Sequence, residues 1–245
     1  MKPVLLPILL LVSSFAAAGE DVHPVELHHQ LVLPAGETGK TVALTLDACG
    51  GSFDAQLANF LIEHRIPATI FATRRWIRRN PDALAMLKAH ADLFDIENHG
   101  ANHVPAIIGA GRNVYGLAGM ADLKQLKQEV FGGAEAIKAA TGIAPRWYRG
   151  ATGEYDLDAI KAIEAMGFKL AGFSVNADSG ATLDRKTIVG RLKKVRSGDI
   201  IIAHLNKPAS DTGKGLAEGL QLLLDLGFHF IRLDAAAVQP LQKRV

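Results

Sequence analysis

Seven short runs rich in apolar, β-branched and aromatic residues alternate with segments of helical period along most of this chain, and that alternation restricts it to parallel βα architectures. The runs are TVALTLD (41–47), ATIFAT (68–73), LFDIEN (93–98), RWYRG (146–150), FKLAGFSV (168–175), DIIIAH (199–204) and FHFIRL (228–233). The clearest helical interval carries Leu117, Met120, Leu123, Leu126, Val130, Ala134 and Ile137 at steps of three and four, which predicts one apolar helix face. In EAMGFKL and LDLGFHF a glycine stands where a helix should end and a phenylalanine where the next strand should begin, as a left-handed C-cap requires. No internal repeat, low-complexity tract or linker divides the series.

Seven parallel strands with intervening helices can form an open doubly wound sheet or a barrel, and the polar residues choose between them. In a barrel, chemistry collects at the C-terminal mouth, where the βα loops converge. Asp47 ends the first run, His99 and His103 follow the third, Arg149 ends the fourth, Asn176 and Asp178 follow the fifth, and His204 ends the sixth. All lie at the same end of their strands, so an α/β barrel with one shared site is expected.

The remaining composition narrows the setting. MKPVLLPILLLVSSFAAAGE has one lysine, a short apolar run and small residues at Ala16, Ala17 and Ala18, which reads as a secretory signal peptide over residues 1–18. Its run is interrupted by Pro7, Ser13 and Ser14 and falls short of the roughly 20 apolar residues that span a bilayer. The expected organisation is therefore this leader, an N-terminal extension over 19–40 and one barrel domain over 41–245, periplasmic or secreted and without a transmembrane anchor after signal removal. About 225 residues remain, enough to bury a substantial core as one domain. Losing Lys2 takes the formal charge from +2 to +1, and RRWIRR (74–79) is the one dense basic run, so nucleic acid is not an expected partner. The single cysteine, Cys49, cannot form an internal disulfide.

The polar set has the parts for metal-assisted hydrolysis. His99 and His103 flank the turn-like Gly100, Ala101 and Asn102, and the pair could be solvated loop residues or two ligands on one ion. A divalent ion there would polarise a carbonyl and lower the pKa of a water toward about 7. Asp47 could take the proton from that water and His204 could return one to the leaving atom. Arg149 could orient Asp47, and a backbone N–H near Ala151 or Thr152 could face the developing oxyanion.

TLDACGG, HGANH, RGATG, FSVNAD and IIIAH, in that order over about residues 41 to 233, resemble the five motifs of the polysaccharide deacetylase family, carbohydrate esterase family 4. The resemblance implies a distorted (β/α)7 barrel that removes N- or O-acetyl groups from chitin-like oligomers, peptidoglycan amino sugars or exopolysaccharide. It implies a divalent metal, zinc first and cobalt or nickel as alternatives. Carried over, Asp47 matches the catalytic base, His99 and His103 the metal ligands, Arg149 the arginine paired with the base and His204 the catalytic acid.

Two departures bear on that match. The family usually has a second aspartate after the first, and it binds the metal; Ala48 stands there, and a methyl group cannot coordinate. Water, Asp47, Cys49 or Asp178 would have to complete the sphere, since zinc sites normally have three or four protein ligands. Asn176 stands where the fourth motif often has aspartate, which makes Asp178 the candidate to hold His204. The expected activity is hydrolysis of an acetamide on an amino sugar. A glycan-binding barrel without strong metal binding, and an O-acetyl esterase or deformylase, are the alternatives.

Overall fold

A computed structural model of the chain describes residues 24–36 and 39–241. The expected signal peptide, residues 1–18, lies outside them. Eight parallel strands form the central sheet: β1 (Lys40–Ala48), β2 (Ala68–Ala72), β3 (Phe94–Asn98), β4 (Trp147–Tyr148), β5 (Lys169–Leu170), β6 (Val175–Asn176), β7 (Ile200–His204) and β8 (Phe228–Ile231). They run in the order β5-β4-β3-β2-β1-β7-β6. β1 pairs with β7 along one edge, while its other edge takes β8 at Lys40–Ala43 and β2 at Thr45–Ala48. This splayed half-barrel is the distorted (β/α)7 arrangement, and each of the seven expected runs contributes to it.

The fifth run supplies two short strands rather than one. Between β5 and β6 the chain pairs with the N-terminal segment instead: Phe173 N donates to Leu27 O (3.2 Å) and His29 N donates to Phe173 O (3.1 Å). Gly172 is needed there, because a Cβ would collide with the Leu27 carbonyl. The described part of the extension thus packs on the barrel, with Leu31 buried among Ala43, Trp147, Phe173 and Ile202 in its interior.

Among the described residues there are seven α-helices: α1 (Ala55–Glu63), α2 (Arg74–Arg79), α3 (Pro81–Ala89), α4 (Leu123–Thr141), α5 (Leu157–Ala165), α6 (Arg185–Leu192) and α7 (Thr212–Asp225). The apolar outer faces of the strands pack on them, and Leu44, Leu46, Leu57, Leu61, Ile70 and Trp76 are fully buried. Each such side chain contributes about 1.5–3 kcal/mol. Asp54, Thr73, Asp122, Asp156 and Asp184 cap α1, α2, α4, α5 and α6 with their side-chain oxygens. The two glycines expected at helix ends, Gly167 and Gly227, have φ of 89° and 78°.

α4 corrects one expectation. Leu117 and Met120 share the helical phase but precede the helix: Leu117 belongs to a two-stranded hairpin with Asn113–Val114, and Met120 bridges Ile108. The Asp122 side chain accepts from Gln125 N at 2.9 Å and starts the helix only there. The basic run RRWIRR forms α2.

Candidate active site

Strand register brings the first and sixth runs together, because β1 and β7 are neighbours and His204 pairs directly with Asp47. Asp47 is buried, and Arg149 Nη1 donates to its Oδ1 at 2.9 Å. Arg149 is wholly buried; the same nitrogen donates to Thr45 Oγ1 (3.0 Å), Nε to Ala171 O (3.2 Å) and Nη2 to Gly172 O (3.3 Å). Burial alone would raise the Asp47 carboxyl, but Arg149, then His99 and His204, outweigh it and hold it below the ordinary carboxylate range.

His99 follows β3 and is buried. Its Nδ1 lies 2.7 Å from the Arg149 carbonyl, which can only accept, so Nδ1 carries the proton and Nε2 presents its lone pair. That nitrogen stands 3.4 Å from Cys49 Sγ and 3.7 Å from Asp47 Oδ2. The ring of His103, held by a left-handed backbone (φ 64°), is centred 4.9 Å from that of His99. One donor atom each from Cys49, His99 and His103 lie within 4.8 Å of one another. Two imidazoles and a sulfur converging this closely fit a divalent ion of the zinc type.

The loop between the two histidines is tied down from α4. Glu129 is buried there, and its carboxylate accepts from Asn102 N (2.8 Å) and Val104 N (3.1 Å). The close approach requires Gly133 on that helix, since a Cβ would strike the Asn98 side chain and the Gly100 carbonyl. Nothing in the linear sequence marks Glu129; its partners are backbone amides of a distant loop.

Asp178 sits beside His204, as expected from its place after the fifth run. His204 N donates to Oδ2 at 3.0 Å and His204 Nδ1 to Oδ1 at 3.0 Å, while Thr212 Oγ1 donates to Oδ2 at 3.1 Å. Burial would lower the His204 pKa, but Asp178 and then Cys49 outweigh it and raise it well above the ordinary imidazole value. Asn176 instead closes a turn, its Oδ1 accepting from Ser179 N at 2.8 Å. Thr152, beyond Arg149, has φ of 72° within the short strand Ala151–Tyr155 that follows β4. Of Glu154, Tyr155 and Asp156, Tyr155 is fully buried with its hydroxyl accepting from Gly150 N (2.7 Å), and Asp156 caps α5.

A carboxylate–arginine pair, three imidazoles and a thiol thus gather at one end of the parallel strands, the C-terminal mouth where the βα loops of such barrels converge. The sequence model of the polysaccharide deacetylase family matches residues 35–171, more than half of the chain, and the chain belongs to that family. Solved structures agree on the fold. A peptidoglycan N-acetylglucosamine deacetylase superposes with a TM-score of 0.68 at 21% identity, over 84% of this chain and 92% of that one. A family 4 carbohydrate esterase from Streptomyces lividans, bound to acetate, gives 0.62 at 21% identity, over 78% and 91%. A family 4 pseudoenzyme from Bacillus anthracis gives 0.64 at 20% identity, over 81% of this chain and 66%, just under two thirds, of that one.

Proposed function

We propose that this chain is an exported, metal-dependent deacetylase of acetylated amino-sugar glycans such as peptidoglycan, chitin-like oligomers or exopolysaccharide. The observation that carries the reading is the pairing of Asp47 with His204 on adjacent strands, next to two histidines whose rings converge. His99 and His103 would hold a divalent ion, zinc by the softness of the donor set, with cobalt or nickel able to replace it. When bound, the ion supplies Lewis acidity and lowers the pKa of water. Asp47 accepts a proton from the attacking water as that water adds to the acetyl carbonyl carbon. Arg149 keeps Asp47 ionised and fixed, so the base cannot rotate away from its task. His204, held by Asp178 through Nδ1, keeps Nε2 for the substrate and gives its proton to the leaving nitrogen as the carbon–nitrogen bond breaks. The products are acetate and a free amine. A backbone N–H at Ala151 or Thr152 faces the developing oxyanion.

The test is acetate release from an acetylated amino-sugar oligosaccharide by zinc-loaded protein. Asp47→Asn is expected to lose activity by about 10²–10⁴-fold. Among the described residues no helix is long and apolar enough to cross a membrane. Export is tested by N-terminal sequencing of the chain from the periplasm or medium, with a start after Ala18 expected. One observation and one chemical argument bear on rival readings. Ala48, buried in the helix-side core, supplies no ligand, which favours a glycan-binding barrel without turnover; absence of bound metal and of acetate release under zinc, cobalt or nickel would establish that reading instead. An O-acetyl esterase needs little proton donation to its leaving group, so full activity of His204→Ala on esters would favour it.

A further inference from the structure

Residue alternation decides which side chains near the end of β1 can reach the mouth. Along a strand, positions two apart share a face. Asp47 points to the mouth, where it meets Arg149, and Ala48 packs on the opposite side among the helices. Cys49, two residues after Asp47, returns to the side of the site, and its Sγ lies 3.4 Å from His99 Nε2. Resting on the metal-dependent reading above, we propose that Cys49 is the third protein ligand, through its sulfur, so that a Cys49–His99–His103 set replaces the carboxylate-and-two-histidine set that Ala48 rules out.

The other donors are committed elsewhere. Asp178 spends both carboxylate oxygens on His204 and Thr212. Asp47 gives Oδ1 to Arg149, and its Oδ2, though 3.7 Å from His99 Nε2, is not among the three donors that gather within 4.8 Å and is kept for the base. A thiolate carries the same single negative charge as a carboxylate, so the charge of the set is kept. Three protein ligands leave one position open, as catalytic zinc sites require.

The segment bearing Cys49 is also held in place by the arginine-rich helix. Thr73 Oγ1 (2.7 Å) and Arg75 Nε (3.1 Å) both donate to the Cys49 carbonyl, Arg79 Nη1 donates to the Gly50 carbonyl (2.7 Å), and Asn80 Nδ2 to the Gly51 carbonyl (3.1 Å). Four side chains on and around α2 therefore clamp three successive carbonyls. This gives RRWIRR a task beyond a solvated helix surface: it fixes the backbone from which the sulfur is presented.

The experiment is cobalt(II) and zinc titration of the full chain and of Cys49→Ala, Cys49→Ser and Cys49→Asp, followed by near-ultraviolet absorption and by competition with a chelator. Wild type is expected to bind one equivalent of cobalt with an intense sulfur-to-cobalt charge-transfer band. Cys49→Ala and Cys49→Ser should lose the band and more than about 100-fold in affinity, beyond the roughly 10–100-fold that loss of a supporting contact costs. Cys49→Asp should retain binding without the band. Folding of each variant is checked by circular dichroism, and the wild-type spectrum is decisive even if a variant fails to fold. Cobalt bound by wild type without a sulfur band, or an unchanged affinity in Cys49→Ala, would overturn the proposal while leaving metal-dependent deacetylation standing. No metal bound by wild type at all would overturn both.

Discussion

Arg149 shows most clearly how one buried side chain serves both folding and chemistry. It is wholly enclosed, its guanidinium lies 4.3 Å from the centre of the Phe71 ring, and it satisfies two carbonyls, a hydroxyl and the Asp47 carboxylate. Arg149→Met should strand the Asp47 charge and cost about 3–5 kcal/mol in urea denaturation, along with activity. Arg149→Lys should not restore either, because an ammonium cannot reproduce the planar fork. His204→Ala should lower kcat on an acetamide by about 10²–10⁴-fold, read by acetate release at saturating substrate. Asp47, Arg149 and His204 were legible in the sequence because each is a charged or titratable residue closing an apolar strand, where burial without a partner is costly. Asp178 was legible through its place after the fifth run. Cys49 was harder to read, since a cysteine beside a strand is more often a small buried hydrophobe; only strand alternation separates its direction from that of Ala48.

At the scale of elements, helices hold the loops that carry the site. Glu129 on α4 accepts from the amides of Asn102 and Val104 and so sets the shape of the turn between His99 and His103. Glu129→Ala should weaken metal binding by about 10–100-fold with the two histidines intact, measured by chelator competition. A Glu129→Ala protein with unchanged affinity would mean that the loop keeps its shape unaided. Helical periodicity found α4 but misplaced its start, because Leu117 and Met120 happen to fall in phase with it; the cap chemistry of Asp122 sets the boundary. The split of the fifth run was not readable either. It depends on backbone hydrogen bonds from residues 27 and 29, far away in the chain, and β-propensity along 168–175 is blind to them.

The whole molecule is organised along the barrel axis, with the site at the C-terminal mouth and a second group of charges lower down. Asp95 in β3 lies near Asp234, Arg146 and Arg232; burial first, and then Asp234, raise its pKa above the ordinary carboxylate value despite the arginines. A carboxyl whose folded pKa is raised binds its proton more tightly folded than unfolded, so its contribution to stability is lost as pH rises. Asp95→Asn should therefore raise Tm by about 2 °C at about pH 7, with the gain vanishing near pH 4, in thermal denaturation at the two values. A lower Tm at the higher pH would show that Asp95 ionised is a net stabilising partner of the arginines. The barrel itself was legible because strand ends carrying polar residues recur with one polarity, whereas the splay of β1 between β2 and β8 emerges only from three-dimensional pairing. The most direct test of deacetylation is acetate release, alongside metal content, from an acetylated amino-sugar oligosaccharide with zinc-loaded wild type and Asp47→Asn. Stoichiometric acetate and free amine from wild type, reduced about 10²–10⁴-fold in the variant, is the expected result; one equivalent of bound zinc with no acetate released across peptidoglycan, chitin-like and exopolysaccharide substrates would contradict it.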